Sequence, residues 1–162
     1  MQGDASAQFR LGLLFAKGRG GQRDDEEAVK WFHESGKKGL AMAQESLGVM
    51  YSTGRGVPLS ETEAVKWFRK AAEQGDAKAQ SALGLMYADG RGVPQDHTEA
   101  AIWFRKAAEQ GHARAQYNLG YLYAKGIGLP QDVGESVKWT LRAAEQGDKD
   151  AISVLKNMKA RL

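Results

Sequence analysis

Glycine recurs at Gly3, Gly39, Gly75, Gly111 and Gly147, and tryptophan at Trp31, Trp67, Trp103 and Trp139, in both series 36 residues apart with no insertion. Unbroken self-similarity at that period restricts the chain to a stack of supersecondary units. A Leu-Gly pair keeps the same spacing at Leu11-Gly12, Leu47-Gly48, Leu83-Gly84 and Leu119-Gly120, each followed three residues later by an aromatic (Phe15, Tyr51, Tyr87, Tyr123). The frame is therefore four repeats, 3–38, 39–74, 75–110 and 111–146, and a half repeat over 147–162. We expect one repeat domain covering residues 1–162. Seventeen of the 20 glycines fall in these columns or in paired loop positions such as Gly54-Arg55-Gly56, so the glycine excess belongs to the repeat.

Each repeat reads as helix, loop, helix. The first helix runs from the Ala after the opening glycine to the residue before the first loop glycine, which suits a left-handed stop. The second starts at a capping-box pattern: Asp24 with Glu27, Ser60 with Glu63, Asp96 with Glu99, Asp132 with Glu135. In such a box the cap side chain accepts from the backbone of the Glu, and the Glu side chain reaches back to the cap N–H. Pro58, Pro94 and Pro130 lie two residues before the cap, where no helical N–H is needed. The next repeat's opening glycine ends this helix. At about 100° per residue, Ala77, Ala79, Gln80, Leu83, Gly84 and Tyr87 share one face, and so do Ala64, Trp67, Phe68 and Ala71. A single repeat cannot bury these faces; stacked neighbours can. The expected fold is an all-α, right-handed α/α superhelical solenoid with a C-terminal capping helix.

Composition narrows the function. With 23 Lys and Arg against 20 Asp and Glu, charge is too balanced to announce nucleic acid. No long apolar stretch suggests a membrane span. The absence of Cys removes disulfides, thiolate metal sites and cysteine nucleophiles. His33, His97 and His112 fall in three different columns with no convergent partners, so neither a metal site nor a catalytic triad is read there. The Gly-x-Gly pairs follow helices and lack a succeeding Lys-Ser/Thr, so they read as turns and not phosphate loops. The tryptophan column reads as core. Lys66, Arg69, Lys70, Arg105 and Lys106, interspersed with Glu, read as a solvated convex face. No enzyme activity, cofactor or metal is expected.

The pattern A-x-A-Q-x-x-L-G-x-x-Y, then G-x-G-V-P, then E-A-x-x-W-F-x-K-A-A-E-Q-G, resembles the Sel-1-like repeat (SLR) family, a relative of the tetratricopeptide repeats. The third repeat is close to a consensus copy. The resemblance implies protein–protein interaction: adaptors and scaffolds in bacterial envelope, signalling and host-contact roles, and in eukaryotic protein degradation. One branch carries a disulfide in each repeat and is linked to β-lactamase activity; this chain lacks the cysteines. Three departures stand out. Gly21-Gln22 replaces the Val-Pro or Leu-Pro of the other repeats, Thr140 replaces a Phe, and Lys156 stands in the packing-glycine column, where it reads as a polar cap.

A partner surface is sought where repeats differ. In stacked helix pairs of this kind the first helices line the concave side. Their variable columns supply Phe9, Arg10, Leu13, Met42, Glu45, Val49, Lys78, Leu85, Asp89, Arg114, Tyr117, Asn118, Tyr121 and Lys125 as candidate contacts, with Lys17 beside them. Five cations (Arg10, Lys17, Lys78, Arg114, Lys125) face two carboxylates among apolar and aromatic side chains of the kind that interfaces favour. A groove for an acidic, partly apolar protein or peptide segment is the expectation, with Tyr117 and Tyr121 as its foremost contacts. An inhibitor or immunity-type protein would use the same surface but abolish an enzyme's activity on binding. A β-lactamase-like enzyme is the third reading, disfavoured by the missing cysteines. A monomer is expected, with pairing through the first repeat left open. The chain as given carries no leader and reads as cytoplasmic; a removed signal peptide would make it periplasmic or secreted.

Overall fold

The computed structural model describes residues 4–18 and 21–159. Among these there are nine α-helices and no strand: α1 (Ala5–Lys17), α2 (Asp25–Lys37), α3 (Ala41–Thr53), α4 (Glu61–Glu73), α5 (Ala77–Asp89), α6 (His97–Glu109), α7 (Ala113–Lys125), α8 (Val133–Glu145) and α9 (Lys149–Lys159). Every first helix begins at the expected Ala and stops before the expected loop glycine. Gly3 and Gly20, assigned to repeat columns above, lie outside the described residues. The helices fall into two compact units. One holds α1 to α4, the first turn of α5 and Arg91–Val93; the other holds the rest of α5 and α6 to α9.

The Leu-Gly pair builds each core. Leu47, Leu83 and Leu119 are fully buried. The glycine beside each leucine is a notch for the second helix of its repeat. A Cβ on Gly48 would lie 2.4 Å from a ring carbon of Phe68, and one on Gly84 would lie 2.7 Å from Phe104. In the fourth repeat Thr140 stands in that place, buried, with its hydroxyl against Gly120. The tryptophans Trp67, Trp103 and Trp139 are buried as core residues. Leu11 and Leu14 of α1 are exposed, because no helix precedes α1 among the described residues. Lys156 on α9 is exposed as well.

The capping box forms only one of its two arms. Asp24, Ser60, Asp96 and Asp132 each accept from the backbone N–H of the Glu three residues on, at 2.9, 3.3, 3.0 and 2.9 Å. Their own backbone N–H groups do not go to the Glu side chains. They donate to the carbonyls of Phe15, Tyr51, Tyr87 and Tyr123, at 3.0, 2.9, 3.0 and 3.1 Å. Those carbonyls lie in the last turns of the first helices. One bond thus joins the end of one helix to the start of the next. Freed of capping, Glu27, Glu63 and Glu135 pair with the lysines three residues on.

Two further devices join consecutive repeats within each unit. The second loop glycine sits on the first turn of the preceding repeat's second helix. A Cβ on Gly56 would lie 2.2 Å from the carbonyl oxygen of Asp25, and one on Gly128 would lie 2.2 Å from that of His97. A buried glutamine supplies the other device. Gln44 donates to the Gly36 carbonyl at 3.0 Å and accepts from Gln74 at 2.6 Å. Gln116 repeats this with Ala108 and Gln146.

Replacing Gly48 by Ala gains up to about 1 kcal/mol of helix propensity but costs about 1–3 kcal/mol of overpacking against Phe68. Gly48→Ala therefore lowers the urea midpoint. Gly56→Ala meets the Asp25–Glu26 peptide at a φ of 68° and costs more than about 3 kcal/mol. An unchanged midpoint for Gly56→Ala would contradict this packing.

Candidate functional site

The variable columns of the first helices do not all face outward. On α1, Phe9 and Leu13 are half-buried against the cluster of Ala28, Val29, Phe32, Leu47, Met50 and Trp67. The Phe9 ring lies 5.6 Å from that of Phe32. Phe9 is three residues before the Gly12 notch and so shares its side of the helix. These two expected contacts are core-flanking residues, while Arg10 is exposed. On α3, Met42 is exposed, and Glu45 and Val49 are half-buried. Burial, with Asp76 nearby, raises the Glu45 carboxyl above its usual range, and Lys78 opposes the shift. Lys78 itself, on the first turn of α5, is exposed.

Arg114, expected as a free cation, is engaged. Its guanidinium pairs with Asp150 at the start of α9 and lies 3.5 Å from Asp148. It also stands over the Tyr117 ring at 5.1 Å. Tyr117 is half-buried, and burial raises its phenol above the ordinary value, with Asp150 adding to the effect. The expected positive face is thus weakened, because α9 supplies carboxylates that the first-helix columns do not contain.

The remaining residues converge. Leu85, Asp89, Asn118 and Tyr121, all expected contacts, line one cavity of about 290 Å³ with Ala88, His97, Phe104, Leu122 and Ile127. Leu85 and Tyr121 are exposed at 40% and 48%. Lys125 is exposed but outside the lining. His97 Nδ1 and Asn118 Nδ2 are buried and find no partner within the protein. His97 and Ile127 were not among the expected contacts. Their signal lies in a pairing between repeats. The loop arginine reaches back to the first residue of the preceding second helix, Arg55 to Asp25 at 2.9 Å and Arg91 to Glu61 at 2.7 Å. Hydrogen bonds from Arg23 and Arg55 hold the Asp25 carboxyl down at about 2. In the fourth repeat Ile127 takes the arginine's place and His97 the carboxylate's, so no ion pair covers this spot.

The outer faces of the second helices are less free than their charges suggest. Arg105 donates to the Tyr123 hydroxyl, and Lys70 and Lys106 lie over Trp67 and Trp103 at 4.3 and 4.0 Å. In the first repeat His33 takes the place of Arg105. Its Nε2 is 3.0 Å from the Tyr51 hydroxyl, and its ring stands edge-on to Trp67 at 5.2 Å. The His112 ring caps α7, accepting from Ala115 N–H at 3.2 Å. Among the described residues no group of three or more His, Cys, Asp or Glu is placed to hold a metal. Among the described residues no helix is long and apolar enough to cross a membrane.

The Sel1 repeat model matches four times in succession, at residues 5–40, 41–76, 77–112 and 113–148. The chain is similar to the solved structure of a protective antigen present in uropathogenic Escherichia coli strains that displays an SLR fold. Identity is 41% and the TM-score 0.88, over 91% of this chain and 32% of that one. It is similar to a Sel1 repeat protein from Oxalobacter formigenes at 38% identity and TM-score 0.86, over 91% of this chain and 61% of that one. Helicobacter pylori cysteine rich protein B shares the fold at 23% identity and TM-score 0.65, over 82% of this chain and 95% of that one. The chain spans about a third and about three-fifths of the first two proteins. These likenesses establish the SLR solenoid fold. Comparison with curated protein sequences gives no match.

Burial holds the His33 imidazole below its ordinary value, with Lys37 adding to the shift and Glu34 and Glu63 opposing it. The unfolded chain therefore binds the proton more readily than the folded one. His33 contributes full stability above the unfolded value of 6.5 and loses it as pH falls below that. Melting between pH 7.5 and 5.5 will show a steeper decline for wild type than for His33→Gln. Equal slopes would contradict the assignment.

Proposed function

Because the chain belongs to the Sel1 repeat family, whose members are generally non-enzymatic protein–protein interaction modules, we propose that it binds a protein or peptide on the exposed arc of its first helices. The anchor is the cavity between α5 and α7. One observation carries this reading: four residues chosen because they differ between repeats meet around a single apolar cavity. Variation spread at random over a solvated face has no reason to converge in this way. Aromatic and aliphatic side chains set in a concavity are the usual energetic centre of an interface.

The expected preference for an acidic segment is replaced here by an apolar anchor. Arg114 is already paired with acidic residues of its own chain, and the cavity lining includes Asp89 and no Lys or Arg. Arg10, Lys78 and Lys125, all exposed, supply charge around the anchor for steering and register.

Affinity capture from native lysate tests the reading. Exposed substitutions away from packed features usually change stability by no more than about 0.5 kcal/mol, so a Leu85→Ala/Tyr121→Ala variant should fold normally. We expect it to lose the partner captured by wild type about tenfold or more. Ile102→Ala, on the exposed side of α6, should capture normally. Equal capture by the Leu85/Tyr121 variant would overturn the assignment of this face.

A further inference from the structure

We infer that the outer face of α1 docks the second helix of a Sel1 repeat belonging to another protein chain. This surface uses none of the residues that line the cavity of α5 and α7. Equivalent columns differ in burial along the array. Ala43, Leu47 and Met50 on α3, and Ala115, Leu119 and Leu122 on α7, are buried. The same columns of α1 hold Ala7, Leu11 and Leu14, spaced to share one face of the helix. All three are exposed, Leu11 at 37% and Leu14 at 45%. Trp31 behaves alike: it is half-buried, whereas Trp67 in its column is buried.

The sister helices show what covers such a face. α3 packs against α2, and α7 against α6. On α2, Ala28, Val29 and Phe32 share one core cluster with Leu47 and Met50. One turn from its end, Gly36 is the point where three columns meet. A Cβ placed there would lie 3.1 Å from Leu47, 3.4 Å from the Trp67 ring and 3.5 Å from Gln44. The Gly36 carbonyl accepts from Gln44 Nε2 at 3.0 Å, and the Ala108 carbonyl of α6 accepts from Gln116 at 3.1 Å. In the first repeat the same three columns are Leu11, Trp31 and Gln8.

These contacts define the occupant. It is an amphipathic helix with a small apolar residue in the Ala28 or Ala100 column and Gly or Ala eight residues later, as at Gly36 and Ala108. That second small residue sits where Leu11, Trp31 and Gln8 converge, and its carbonyl accepts from Gln8. A bulky side chain there would overpack, because a bare Cβ is already tight at the sister site. A second copy of this chain offers no such helix. Its α2, α6 and α8 are already packed against α3, α7 and α9, and Ala72 of α4 is buried.

The test is a nuclear magnetic resonance titration of the whole chain with a capped synthetic peptide of residues 96–111, which is α6 from its Asp96 cap to its Gly111 stop. The expected response is at the backbone amides of Ala7, Leu11 and Leu14 and at the Trp31 indole N–H. The same peptide carrying Ala108→Leu should bind about tenfold more weakly. Leu11→Asp, an exposed substitution that leaves the fold intact, should weaken binding about tenfold or more. A chain in which residues 94–110 replace Met1 and Gln2 runs a second helix directly into Gly3. It fills the face from within and should not respond. Sedimentation of the chain alone should show a monomer. No response to the peptide, equal binding of the Ala108→Leu peptide, or an unchanged response of Leu11→Asp or of the extended chain would overturn the inference. A dimer of the chain alone that Leu11→Asp dissociates would give the face to a second copy and equally overturn it. The Leu85→Ala/Tyr121→Ala variant should respond as wild type does, so this surface and the proposed partner face fail or stand separately.

Discussion

Consecutive repeats meet at a residue with no side chain and no room for one. The second loop glycine lies where a Cβ would meet the carbonyl of the preceding second helix at 2.2 Å, at Gly56 over Asp25 and at Gly128 over His97. Backbone against backbone leaves nothing to flex, so this contact sets the position of the loop. The loop in turn sets where the next capped helix starts. The bond from the cap N–H to the aromatic carbonyl of the first helix follows from that placement. The Phe ring can then enter the Leu-Gly notch of its own repeat, and the buried glutamine can bridge successive helix ends. Each of these contacts uses a column that the repeats share.

Functional variation is left to the positions these contacts do not need. The loop residue between the paired glycines is one of them. As arginine it reaches back to an acidic first residue; as Ile127 it lines a cavity together with His97. At these two positions, 30 apart, an ion-pairing couple in other repeats is Ile127 and His97 in the fourth. The glycines, the cap and the notch are untouched.

Much of this was legible from periodicity. The starts and ends of α1, α3, α5 and α7 coincide with those read from the opening Ala and the loop glycine, because a glycine stop and a helical face are local properties of the sequence. The half-formed capping box was not legible. The pattern gives the residues of the box, but a competing carbonyl from the previous helix takes the cap N–H. The candidate surface divides along the same line. Leu85, Asp89, Asn118 and Tyr121, singled out by their variability, line one cavity. Phe9 and Leu13 are half-buried because the variable arc overlaps the side of the helix that carries the Gly12 notch. Arg114 was misjudged because its partners Asp148 and Asp150 belong to the half repeat beyond it.

The most direct measurement is hydrogen–deuterium exchange on the chain alone and with its captured partner. The account predicts added protection at the C-terminal half of α5, along α7 from Tyr117 to Leu122, and at Ile127. The outer faces of α4, α6 and α8 should exchange as before. Protection confined to those second helices, with α5 and α7 unchanged, would contradict the claim that the variable first-helix face is where this protein meets its partner.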